Sequence, residues 1–139
     1  MSFQLERQAI ETKAATDWPT LQPGVDIFFD NVPEGPVNPG VKYARLFILP
    51  ADSNQITLEN GNGSLHRAAG VIMVQCFAPL GKGTKEALDM ADSVATIFRN
   101  ARLTNGVLCR SPRRDPGRAT GSHYQVNVIV PFQRDTLYN

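Results

Sequence analysis

The sequence predicts an α+β fold, a mostly antiparallel mixed sheet packed by two helices in a single domain over residues 1–139. Three observations predict it. The apolar stretches that read as strands are grouped along the chain, which points to helices laid on a mostly antiparallel sheet. Ala68 to Ala78 is nearly continuously apolar with β-branched residues at its middle, as suits a strand covered on both faces. Ala87, Leu88, Ala91, Val94, Ala95 and Phe98 then recur at three- and four-residue spacing. Lys85, Glu86, Asp89, Asp92, Ser93 and Arg99 take the other side, so a helix here turns one face to core and one to water. A chain of 139 residues buries roughly 68 to 70% of its unfolded surface, so no covalent staple is required.

Taken in order, Ser2 to Thr16 has helix-forming composition, with Ser2 as cap and Phe3, Ile10 and Ala14 on one face. Arg7 interrupts that stripe, so this helix is expected at the domain edge or against another subunit. Asp17-Trp18-Pro19 is expected to end it, because the residue before proline is pushed out of the helical region, and Trp18 to lid the core. Val25 to Phe29 is a short strand, and Asp30 to Gly40 a semi-rigid loop rich in proline and glycine. Lys42 to Leu49 alternates Ala44, Leu46 and Ile48 against Tyr43, Arg45, Phe47 and Leu49, with Pro50 closing the strand. Ala51 to Gly63 is mostly polar; Ile56 and Leu58 give a short strand and Asn60-Gly61-Asn62-Gly63 a turn signal, so a hairpin-like excursion is expected.

Pro79 then stops the central strand, Gly81-Lys82-Gly83 supplies a permissive turn, and Thr84 stands where a helix cap belongs. Glu86 in the first turn and Arg99 in the last both suit the helix macrodipole. Ala87, Ala91 and Ala95 let the helix approach a sheet closely, while Leu88, Val94 and Phe98 fill the gaps between strands. Leu103 to Gly106 breaks the chain and Val107 to Arg110 is a short strand. Ser111 to Ser122 has no apolar residue larger than alanine apart from its prolines, and is expected as a loop that cannot bury itself. Tyr124, Val126, Val128 and Val130 alternate with Gln125, Asn127 and Ile129 in a last strand that Pro131 ends.

Composition gives few handles on chemistry. A net charge of +1 supplies no global argument for nucleic acid or membrane. No apolar run approaches the roughly 20 residues of a membrane span, and the N-terminus lacks a signal peptide's order, so cytosol is the expected compartment. Cys76 and Cys109 fall in apolar strand patterns and read as reduced packing residues with no metal or redox partner. His66 and His123, the two histidines, each flank a strand outside any metal-binding spacing, so surface or packing roles are expected. Gly81-Lys82-Gly83-Thr84 lacks the spacing of a phosphate loop. No catalytic constellation, cofactor or metal site is expected.

The most specific polar feature is the set Arg110, Arg113, Arg114 and Arg118, with Asp115 partly offsetting it. Such a set can neutralise phosphates in a salt-dependent way, and without interleaved aromatics it would meet backbone and read no bases. The other course is a solvated loop.

In layout the chain resembles the small tail terminator, or tail completion, proteins of long-tailed bacteriophages. The resemblance rests on the order of short motifs: an amphipathic N-terminal helix, Asp30-Asn31-Val32-Pro33 after the first strand and Leu49-Pro50-Ala51 after the second. It continues through His66-Arg67-Ala68-Ala69-Gly70, Ala78-Pro79-Leu80-Gly81-Lys82-Gly83 and Val130-Pro131-Phe132. What the resemblance implies is a non-enzymatic α/β domain of a phage or prophage that assembles into a hexameric ring on the end of the tail tube, stops tube polymerisation and offers the head-joining surface. The implied partners are further copies of the chain, the tail tube protein and the head–tail connector protein, with DNA only in transit and no membrane. The implied place is the head-proximal end of the tail, after assembly in the host cytoplasm. The N-terminal helix, Pro33 to Gly40 and Ala51 to Gly63 are candidate subunit contacts, and the arginines are expected at the rim. Another neck or connector protein, a nucleic-acid-binding module using the arginine loop, and an enzyme gathering His66, His123 or carboxylates in one pocket are the competing readings.

Overall fold

A computed structural model describes residues 3–30, 40–55, 64–81 and 83–138, with 50–55, 64–66 and 136–138 described for their backbone alone. The chain runs through α1 (Phe3–Leu21), β1 (Asp26–Phe29), β2 (Tyr43–Gln55), β3 (Ser64–Pro79) and α2 (Lys85–Phe98). A single 3-10 turn, Thr104–Gly106, leads to β4 (Val107–Cys109), β5 (Arg113–Arg114), β6 (Arg118–Thr120) and β7 (His123–Tyr138). Two helices and one seven-stranded mixed sheet confirm the α+β class.

The sheet order is β1-β2-β3-β7-β4, with β5 and β6 also pairing β7. β1 runs parallel to β2 and every other pair is antiparallel. Side chains alternate between the two faces of a strand, and the residues buried here are Ala44, Leu46 and Ile48 of β2, Ile72, Val74 and Cys76 of β3, and Val126, Val128, Val130 and Phe132 of β7. Both helices cover that one face. α2 presses Ala87, Met90, Ala91, Val94, Ile97 and Phe98 onto it, and α1 adds Ala9, Ile10, Ala14 and Trp18. The opposite face, carrying Tyr43, Phe47, Leu49, Met73, Gln75 and Ile129, has no described helix over it.

Gly70 shows how close the packing is. A Cβ there would lie 2.7 Å from the Phe132 ring and 2.9 Å from the Leu49 carbonyl oxygen. The ring lies across the glycine that pairs with it, so the position needs a residue without a side chain.

Several expected boundaries move outward. α1 continues through Pro19 to Leu21, because Trp18 is fixed from two sides: its indole N–H donates to the Val25 carbonyl at 2.8 Å, and the Gln22 N–H reaches the Trp18 carbonyl at 2.7 Å. Trp18 is itself a core residue, and α1 is part of the core layer. Pro50 and Pro131 do not end their strands. At Pro50 the ladder shifts register before resuming at Ser53, and the pairing of β1 with β2 ends at Leu46, so no described strand lies on that side of β2 there. Pro131 turns its carbonyl to the Arg110 N–H at 2.7 Å. A residue's N and O point to the same side of a strand, so the missing donor faces the irregular Ser111-Pro112 connection and costs β3 nothing.

β3 starts at Ser64, ahead of the expected Ala68. Thr84 takes the cap position without a side-chain cap bond, and Arg99 follows the last turn as C-cap. Met90 and Ile97 join the buried stripe, and Ser93, expected in water, is buried. The Ile56/Leu58 strand, the Asn60 to Gly63 turn, most of the Asp30 to Gly40 loop and Lys82 lie outside the described residues.

Candidate functional site

The segment expected as an unburied loop is an edge of the sheet. β5 pairs Arg113 with Ile129 and Arg114 with Val128, and β6 pairs Arg118 with Gln125. It gains order from hydrogen bonds, since it has no apolar side chains to bury. Asp115 supplies the anchor: its N–H donates to the Asn127 carbonyl at 3.0 Å, and its carboxylate accepts from the Asn127 N–H at 3.0 Å and the Gly117 N–H at 3.2 Å. Gly117, at φ +85°, is left-handed, and a Cβ on it would run into the Tyr124 hydroxyl. The Tyr124 hydroxyl also reaches the Pro116 carbonyl at 3.4 Å. An Asp-Pro-Gly sequence is the available signal for this turn.

Pairing decides where the four arginines point, because paired residues share a face. Arg113 and Arg118 share the helix-free face with Ile129 and Gln125. Arg110 joins them by donating to the Gln133 side-chain oxygen at 2.6 Å. Arg114 shares the helix-covered face with Val128. The set therefore divides into a row of three, opposite positions near 125, 129 and 133 of β7, and one that faces α2. Arg118 lies 3.6 Å from the Asp115 carboxylate, and Arg114 donates to the Asp115 carbonyl at 3.1 Å. All four are exposed.

Arg114 lies in a cleft of about 280 Å³ lined by Ala91, Asp92, Ala95, Arg99, Pro112, Arg113, Arg114 and Val128. Arg99, expected from the sequence on the water-facing side of the helix and in its last turn, thus belongs to the site. The histidines do not converge. His66 pairs with Thr136 and His123 with Pro79, thirteen positions apart along β3, or roughly 43 Å at strand rise. His123 is a buried packing residue, with Nε2 2.9 Å from the Val41 carbonyl oxygen, Nδ1 3.1 Å from the Ser122 hydroxyl, and Tyr43 and Phe77 edge-on to its ring.

Both cysteines are free and buried. Burial, with the charge of Asp115 adding to it, pushes the Cys76 thiol up to about 12, and burial pushes Cys109 up to about 11. Neither is a poised nucleophile. Among the described residues no group of three or more His, Cys, Asp and Glu is placed to hold a metal, and no helix is long and apolar enough to cross a membrane.

A family model described as phage tail terminator protein matches residues 4–132. A comparison with curated proteins finds no match. A solved structure that carries no functional name superposes with a TM-score of 0.74 at 19% identity, covering 100% of this chain and 99% of that one. A chain from the virion of a native gene transfer agent particle superposes with a TM-score of 0.59 at 14% identity, covering 97% and 100%. At these identities the two structures speak to the fold alone.

Proposed function

The chain belongs to the phage tail terminator family, and from that premise we propose that it closes into a ring on the end of the tail tube, stops tube growth and presents the surface that receives the head. A structural part in the phage tail follows from the family, which is not an enzyme family; the ring and its two jobs are our reading. The match over nearly the whole chain carries it. The expected assembly is a hexamer, closed by head-to-tail contacts in which two different surfaces of each copy meet. Its neighbours are the tail tube protein on one side and the head–tail connector protein on the other, at the head-proximal end of the tail, with DNA passing through. Assembly takes place in the host cytoplasm.

The row of Arg110, Arg113 and Arg118 on the helix-free face is the partner-facing surface in this reading, set at the rim against an acidic patch of tube or connector. Charge there steers encounter and fixes register more than it adds affinity. The experiment is light scattering after size exclusion, followed by addition of the protein to growing tail tubes. A particle of six times the 15.2 kDa chain that halts tube elongation supports the proposal. A protein that leaves tube length unchanged at every ratio overturns it. Changing the three arginines to alanine is expected to leave folding intact and to lower the yield of infectious particles.

A further inference from the structure

The cleft between α2 and β5 opens on the helix-covered side of the sheet and meets the arginine row only at Arg113. We propose that it is a slot for an acidic segment of a partner protein, one that places an apolar side chain beside a carboxylate. The floor is apolar and made from small residues. Ala91 and Ala95 stand one helical turn apart on α2, and Val128 is almost fully buried beneath them. Alanine at both positions leaves a concavity of about 280 Å³, enough for one large apolar side chain and its neighbour.

The walls are cationic. The guanidinium groups of Arg99 and Arg114 have no carboxylate partner among the described residues; Arg114 donates only to a backbone carbonyl. Two such groups lining one cleft suit a carboxylate, which accepts paired N–H donors from arginine. Asp92 on the same lining repels a bare polyanion and can accept a peptide N–H. A duplex would need a wide cationic surface with no carboxylate in it. Concavity, an apolar floor and one acidic rim residue together favour peptide over nucleic acid. This inference does not depend on the ring.

The test uses the full chain and a fluorescein-labelled octapeptide of alternating aspartate and leucine, read by anisotropy. Its asparagine–leucine counterpart and a labelled DNA duplex of about 20 base pairs are the comparisons. The acidic peptide is expected to bind, and the double variant Arg99→Ala/Arg114→Ala to weaken it about tenfold or more. Ala95→Phe, which fills the floor and leaves every charge in place, is expected to weaken it similarly; if that variant does not fold, Ala95→Gln takes its place. No binding of the acidic peptide, equal binding of the asparagine peptide, equal binding by the filled-floor variant, or tighter binding of the duplex each overturns the slot. Light scattering of the same samples separates the two proposals: capping rings that ignore the peptide sink the slot alone, and peptide-binding monomers that leave tubes uncapped sink the ring alone.

Discussion

Asp115 governs the local structure of the arginine edge. Its carboxylate holds two backbone N–H groups at 3.0 and 3.2 Å, and hydrogen bonds to a charged group in a part-buried place are the stronger kind. Asp115→Ala is expected to cost about 1–3 kcal/mol in urea denaturation and to speed hydrogen exchange at the amides of Gly117 and Asn127. Asp92→Ala, with no such bonds, is the control. The sequence announced the arginines and the turn residues separately. It did not announce that one aspartate ties them to β7, because that bond is to the backbone of a residue twelve positions on, and backbone groups leave no signature in side-chain patterning. The prolines hide for a related reason: Pro50 and Pro131 are strand-ending residues by type, and only their place at a register shift beyond the β1 pairing and beside an irregular connection makes them tolerable.

Among the elements, α2 was legible almost to the residue, because a strong amphipathic stripe needs no tertiary help to be seen. Met90 and Ile97 widen the buried stripe beyond Ala87, Leu88, Ala91, Val94, Ala95 and Phe98. The first helix was legible as a helix and misjudged as a peripheral one. Arg7, which interrupts the stripe in the sequence, is paired with Glu11 and Asp30, and the charge that faces the core is its neighbour Glu6, buried against Arg134 of β7 at 3.1 Å with side chains 8% and 4% exposed. A carboxylate on a core-facing position spoils the apolar stripe, and its partner lies 128 residues away. Removing one member of a buried pair takes from the other the contact that offsets its burial, so Glu6→Ala or Arg134→Ala is expected to cost about 3–5 kcal/mol. Chemical denaturation checks this, and the double variant Glu6→Leu/Arg134→Met is expected to recover most of the loss. A double variant as unstable as the sum of the singles would show that Arg134 acts through its other contacts.

At the scale of the molecule, the order of the elements and the grouping of strands gave the fold class, while the parallel β1 and the addition of β5 and β6 to β7 depend on pairings that no local signal records. The buried thiols set an alkaline limit on the whole. The Cys76 thiol is raised from an ordinary value near 9 to about 12, so the native state keeps a proton that the unfolded chain gives up. The associated stability is complete below about pH 9 and declines as pH rises toward the folded value, by about 1.4 kcal/mol per pH unit for each such thiol. Urea midpoints measured between about pH 8 and pH 10.5 are expected to fall less steeply for Cys76→Ala than for the parent; parallel slopes would show that Cys76 contributes nothing to the limit.

The sheet is longer than its cover. β3 and β7 each run 16 residues, about 53 Å at strand rise, whereas α1 has 19 residues and α2 has 14, about 29 and 21 Å. On the helix-covered face of β3 full burial ends at Gly70, and Ala68, the next residue on that face, is only partly buried. Past that point β3 stays paired with β2 as far as Gln55 and His66 and with β7 as far as Ser64 and Tyr138, with Arg67 and Asp135 clasped at 2.8 and 3.1 Å. Mechanically this is a cantilever rooted in the core. A pull along the strands loads all the rungs of the β3–β7 ladder together in shear, whereas a sideways pull at the tip peels them one at a time, so the projecting ribbon is stiff in one direction and yielding in the other.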